Sequence, residues 1–130
     1  MDNNLIEQFQ LEYVFKGRSV STLWTCIGTE EGLSRWFADE VQLLDDNHFR
    51  FTWNGNDQNA EALCIKPHKR IRFRWDGDDP NLFFEFRIHI DELTHVLSLS
   101  IIDHALSDER EDAELLWNSQ VDKLRRHLGI

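Results

Sequence analysis

The sequence predicts an α+β fold: a curved antiparallel sheet of about seven strands, two short helices after the first strand, and one long carboxy-terminal helix that the sheet wraps. Three observations carry that expectation. Segments of alternating apolar and polar residues recur along most of the chain, separated by short polar turns. A bulky helical pair sits early, around Leu23-Trp24 and Glu31-Gly32-Leu33-Ser34-Arg35-Trp36-Phe37-Ala38-Asp39. The chain closes with an amphipathic helix whose single apolar stripe must lie on a large apolar surface, and the sheet is the one on offer.

In chain order, Gln8 to Lys16 alternates, with Phe9, Leu11, Tyr13 and Phe15 on one face, as a half-buried strand does. Gly17-Arg18-Ser19 breaks it, and Ser19 is placed to cap a helix running to about Ile27. Thr29 is placed to cap the second helix, through Trp36 and Phe37, with Glu30 and Glu31 in its first turn, where the helix dipole favours negative charge. Strands follow at Val41–Leu44 and His48–Trp53 around the turn Asp45-Asp46-Asn47, then the Asn-Gly loop Asn54-Gly55-Asn56-Asp57. Further strands are expected at about Ala60–Lys66, Arg70–Trp75, Leu82–Asp91 and Thr94–Asp103, the last two joined as a hairpin. Ser107 is the expected cap of the final helix, with Asp108, Glu109, Glu111 and Asp112 in its first turns and Arg125, Arg126 and His127 in its last. Its stripe reads Ala113, Leu116, Trp117, Val121, Leu124 and Leu128, and Gly129 ends it.

A chain of 130 residues with no repeat, linker or low-complexity tract reads as one domain, residues 1–130, with a core of its own. The formal net charge of −10 argues against nucleic acid and anionic membranes as partners, since both demand a basic face. Cys26 and Cys64 lie far apart and form no CxxC pair. Met1-Asp2-Asn3-Asn4-Leu5 lacks the basic start and apolar run of a secretory signal, and no apolar stretch approaches the length of a membrane span. The expectation is a cytoplasmic protein with both thiols reduced and buried.

Strand, two small helices, six strands and a long terminal helix is the helix-grip arrangement. With Trp24, the segment Glu31-Gly32-Leu33-Ser34-Arg35-Trp36-Phe37, Pro67 ahead of Ile71-Arg72-Phe73-Arg74-Trp75, and Trp117 in the last helix, the chain resembles the START-like (SRPBCC) superfamily. Within it the sequence is most similar to the branch of heat-shock protein 90 ATPase activator homologues, over roughly Gln8 to Leu128. The resemblance implies the fold and a ligand site between the concave sheet face and the long helix. It implies no single activity, because the superfamily spans lipid carriers, hormone receptors, aromatic cyclases and co-chaperone domains.

The alternation places Phe49, Phe51, Trp53, Ile71, Phe73, Trp75, Phe84, Phe86, Ile88, Leu97, Leu99 and Ile101 on the apolar strand faces. Trp36, Phe37, Trp53, Phe73, Trp75, Phe86, Trp117 and Val121 are the candidate lining of a pocket for a small hydrophobic molecule. The competing account is that these rings fill the space themselves, since large aromatics bury about 150–250 Å² each. Ala60, Ala62 and Cys64, small side chains on one strand face, would leave room there, or could equally face outward or accommodate Trp75 or Trp117.

His48, His68, His89, His95, His104 and His127 show no tight ligand spacing, so no metal is expected, and no cofactor. His89 is expected on the outer face, opposite a buried Ile88 and Ile90. Candidates for proton transfer are Glu61 and Glu85, and alternation sends Glu85 outward to pair with Arg72 or Arg74. Lys69, Arg70, Arg72 and Arg74 read as half of a cross-strand charge ladder. No catalytic residue is assigned. The favoured function is a non-enzymatic binding protein for a small hydrophobic ligand. Its rivals are a protein-interaction or co-chaperone-like module and a cyclase- or hydrolase-like enzyme. Both monomer and homodimer stay open, since edge strands can pair.

Overall fold

A computed structural model describes residues 5–130; Met1 to Asn4, read above for a secretory leader, lie outside the described residues. The order is β1 (Ile6–Val14), α1 (Val20–Gly28), α2 (Glu30–Leu33), β2 (Glu40–Leu43), β3 (His48–Trp53), β4 (Asn56–Lys66), β5 (Arg70–Trp75), β6 (Phe84–Ile90), β7 (Leu97–Leu106) and α3 (Arg110–Leu128). The strands form one antiparallel sheet in the order β1-β7-β6-β5-β4-β3-β2. It is the expected helix-grip architecture: a curved sheet holding α3, with the short helices inserted after β1.

The turns explain where the strands differ from expectation. Asn54 and Gly55 both take positive φ, 51° and 79°, as a two-residue hairpin turn requires. Pairing therefore resumes at once, Trp53 opposite Asn56, and β4 starts ahead of the expected Ala60. The ladder between β4 and β5 shifts between Ala62 and Cys64. Ala60 and Ala62 are buried opposite Trp75 and Phe73, whereas the bulge puts the half-buried Cys64 opposite Arg72. The small residues thus make room for Trp75 and Phe73, and Cys64 is not one of them.

Both helix caps foreseen in the early segment are present: Ser19 Oγ accepts from Thr22 N (3.1 Å) and Thr29 Oγ1 from Gly32 N (3.0 Å). The second helix stops at Leu33, however, short of Trp36 and Phe37. A tight turn follows, in which Phe37 N and Ala38 N both donate to Leu33 O. That turn delivers the two rings into the core. Trp36 Nε1 donates to Cys26 O (2.8 Å) and ties the turn to α1.

The final helix starts later than its sequence suggests. Ser107 is not its N-cap, because the pairing of β7 with β1 continues and Ser107 N donates to Leu5 O, just ahead of β1 (2.7 Å). The N-cap is Glu109, whose side chain makes no capping bond. Gly129, at φ 76°, closes the helix in the left-handed conformation, with Ile130 N bonded to Arg125 O. The buried face is Trp117, Gln120, Val121 and Leu124. Leu116, expected in the stripe, is 62% exposed, because the face turned to the sheet runs through Gln120 instead.

Candidate functional site

Phe37 is the hub of the aromatic interior. Its ring stacks on Trp117 (5.7 Å, 12°) and meets Phe51, Trp53 and Phe86 edge-on. Its carbonyl accepts from Trp53 Nε1 (2.8 Å) and from Gln120 Nε2 (3.0 Å). One backbone oxygen therefore joins the α2 turn, β3 and α3. Rings in such contact gain about 0.5–1.5 kcal/mol per pair beyond their burial. The middle of the space between sheet and helix is solid with them.

At one end it is not. A cleft of about 630 Å³ opens between the turn Ser34–Asp39, residues of β3 to β7 and one side of α3. Of the residues proposed from sequence, Trp36, Phe37, Trp53, Trp75 and Trp117 border this cleft. Phe73, Phe86 and Val121 do not; they are buried behind it as packed core. Ala38, Phe84, Ala113 and Leu116 complete its apolar wall.

Among the described residues eight polar ones line the cleft, Ser34, Arg35, Asp39, Gln58, Asp103, Ser119, Gln120 and Lys123, and all were absent from the sequence-based site. Asp103 borders it, with Oδ2 accepting from Trp117 Nε1 (3.0 Å) and Oδ1 from the backbone N–H of His104 (2.8 Å). Burial pushes its pKa above the ordinary 3.8, against the lowering effect of those two bonds. The signal was available: Leu97, Leu99, Ile101 and Asp103 share one parity, so an inward row ends in a carboxylate. Gln120, 9% exposed, reads as a surface residue until the helix rotation is known. Arg35, Asp39 and Lys123 stand at the rim, and Arg35 is paired with Glu31 (3.3 Å).

The other sequence candidates lie elsewhere. Glu61 pairs with Arg74 at 3.4 Å on the outer sheet face. Glu85 points outward as expected and pairs with Arg72 at 2.7 Å and with Arg87, but not with Arg74. It is nevertheless fully buried, because the two arginines and Phe83, over which Arg72 lies at 3.8 Å, roof it. His89 is on the outer face and exposed; Ile90, expected buried, is 45% exposed at the strand end. Among the described residues no group of three His, Cys, Asp or Glu side chains converges as a metal site would need. Cys26 and Cys64 are free, and burial pushes the Cys26 thiol pKa up. Among the described residues no helix is long and apolar enough to cross a membrane.

The sequence matches the START-like superfamily domain over residues 4–130. A protein from Bacteroides fragilis with a known solution structure is 38% identical, over 96% of this chain and 93% of its own, with a TM-score of 0.67. The Aha1 dimer from Colwellia psychrerythraea has a TM-score of 0.74 at 15% identity, over 91% of this chain and 92% of that one. A Mesorhizobium loti protein also scores 0.74, at 16% identity, over 95% of this chain and 97% of its own. At such identities the last two likenesses concern the fold alone. No curated protein matches the chain.

Proposed function

The chain belongs to the START-like superfamily, and from that premise we propose that it is a non-enzymatic binding protein that holds a small, largely apolar molecule at the cleft between the sheet and α3. The observation that carries this reading is the cleft itself. Its volume of about 630 Å³ falls within the roughly 300–1,000 Å³ of ligand pockets, and its aromatic wall faces a polar side that includes Asp39, Gln58, Asp103, Ser119 and Lys123. The walls are set before any ligand arrives, because the Phe37 carbonyl holds both the Trp53 and Gln120 side chains. Such preorganisation lowers the ordering cost of binding.

The test is titration of the protein with a panel of small aromatic and alicyclic molecules, followed by the indole N–H signals of Trp53, Trp75 and Trp117. Saturable shifts at these indoles, abolished by Ala113→Phe, which fills the cleft from α3, are expected. Shifts confined to other residues, or unchanged in the variant, would overturn the reading.

A second reading, a protein-interaction module of the co-chaperone kind, has one observation in its favour. Leu115 and Leu116 are 58% and 62% exposed on α3, and Leu116 borders the cleft. Co-sedimentation with heat-shock protein 90 that is lost in Leu115→Asp/Leu116→Asp would support it, and no retention by the wild type would remove it.

A further inference from the structure

The chemistry of the cleft goes further than its apolar walls. Asp103 is a carboxylate in a largely desolvated place, and among the described residues it forms no ion pair with any lysine or arginine. Each of its oxygens receives one N–H bond, from His104 N and from Trp117 Nε1, which leaves each a second acceptor position. Asp78, from the loop after β5, adds negative potential there, while His104 opposes it. Of the rim cations, Arg35 is engaged by Glu31, and Lys123 sits beyond Gln120 on α3, about 9 Å along the helix from Trp117.

The cleft that this carboxylate borders has an aromatic wall. Trp75 and Phe84 pack at 4.9 Å, Trp53 and Trp75 at 5.9 Å, and Phe84 and Trp117 at 6.4 Å, and all four rings border the cleft. Ring faces carry negative electrostatic potential and attract cations, most strongly where water is excluded. A buried charge without a partner is costly, and a ligand that brings the opposite charge recovers that cost. A purely apolar ligand would instead cover the Asp103 oxygens and leave their second acceptor positions without a donor.

Resting on the cleft reading above, we propose that the ligand is an organic cation: a protonated amine on an aromatic or alkyl body, its ammonium received by Asp103 and its body by Trp53, Trp75, Phe84 and Trp117. The body enters the apolar end and the N–H donors take the free acceptor positions of the carboxylate. The protein's overall charge of −10 favours the approach of such a ligand.

The experiment compares three probes of similar size with the intact protein: phenylpropylamine, phenylpropanol and benzylacetone, titrated near neutral pH and read at the Trp117 indole N–H. The amine is expected to bind about tenfold or more tightly than either neutral probe, a gain in the range of a charge-assisted bond. In Asp103→Asn the single amide oxygen keeps only one of the two N–H bonds to Trp117 and His104, so the readout is the ratio of amine to alcohol affinity, which should fall to about one. Equal affinities in the wild type, or a preference that survives Asp103→Asn, would overturn the cation proposal. Tighter binding of the ketone would overturn it too, by making Asp103 a proton donor. In each of those cases a neutral probe bound at Trp117 leaves the apolar cleft reading standing. Absence of binding by all three probes defeats both. The wild-type comparison alone decides the matter should the variant fail to fold.

Discussion

Gly32→Ala should destabilise this protein although alanine is the better helix former. In an isolated helix the exchange would gain about 1 kcal/mol. Here α2 lies so close to α1 that a Cβ on Gly32 would stand 1.8 Å from the Thr25 carbonyl oxygen and 2.7 Å from the Cys26 Cα. Real Cβ contacts essentially never fall under 3.0 Å, and the obstructing atoms are backbone, so no side chain can swing aside. The helices must part by more than an ångström. Two bonds that span the junction go with that movement, Trp36 Nε1 to Cys26 O (2.8 Å) and Thr29 Oγ1 to Thr25 O (2.7 Å). Overpacking costs roughly 2 kcal/mol, the two bonds about 1 kcal/mol each, and alanine's helix preference returns about 1 kcal/mol. The net expectation is a loss of about 3 kcal/mol, or roughly 10 °C in Tm for a domain of this size. Urea denaturation measures it, with an unchanged m-value expected, and the Trp36 indole N–H signal should shift. A variant as stable as the wild type, or more stable, would refute the claim that space between α1 and α2 is what demands glycine here.

Phe37→Ala should cost about 3–5 kcal/mol in the same assay, since it empties the centre of the buried ring cluster, and it should move the Trp53 and Trp117 indole signals together. A loss under 1 kcal/mol would show that the ring is not the hub. Glu85→Gln should cost about 2–3 kcal/mol, because it removes the charge that faces both Arg72 and Arg87; the arginines reach water, which limits the loss. A neutral result by urea denaturation would mean that the roof over β6 holds by packing alone. The Asp103 carboxyl should titrate above 3.8, chiefly through burial, and its protonation can be followed by carboxyl carbon NMR. The folded state then binds this proton more tightly than the unfolded chain does, so the Asp103 contribution to stability declines as pH rises from 3.8 through the raised pKa and is constant above it. A midpoint at or under 3.8 would contradict the burial of this group.

What the sequence determined by itself was set by local periodicity and local caps. Period-two alternation from Phe49 to Ile101 defined the strands and their inward faces, and Ser19, Thr29 and Gly129 marked three of the helix boundaries. These signals need only the residue and its near neighbours, so the order of elements and the aromatic character of the interior were legible. Tertiary structure decided what depends on distant partners. The continued pairing of Ser107 with Leu5 delayed α3 past its apparent cap. The bulge after Ala62 turned Cys64 away, and on α3 Gln120, bonded to the Phe37 carbonyl, is buried where the stripe had Leu116. Above all, packing decided which aromatics became solid core and which became a wall. Phe73 and Phe86 carry the same signature as Trp53 and Trp75, and only the volume left over between the turn after α2, the strands and α3 separates them. That volume is a difference between the space the sheet encloses and the side chains that enter it from three elements far apart in the chain, and no stretch of sequence contains it.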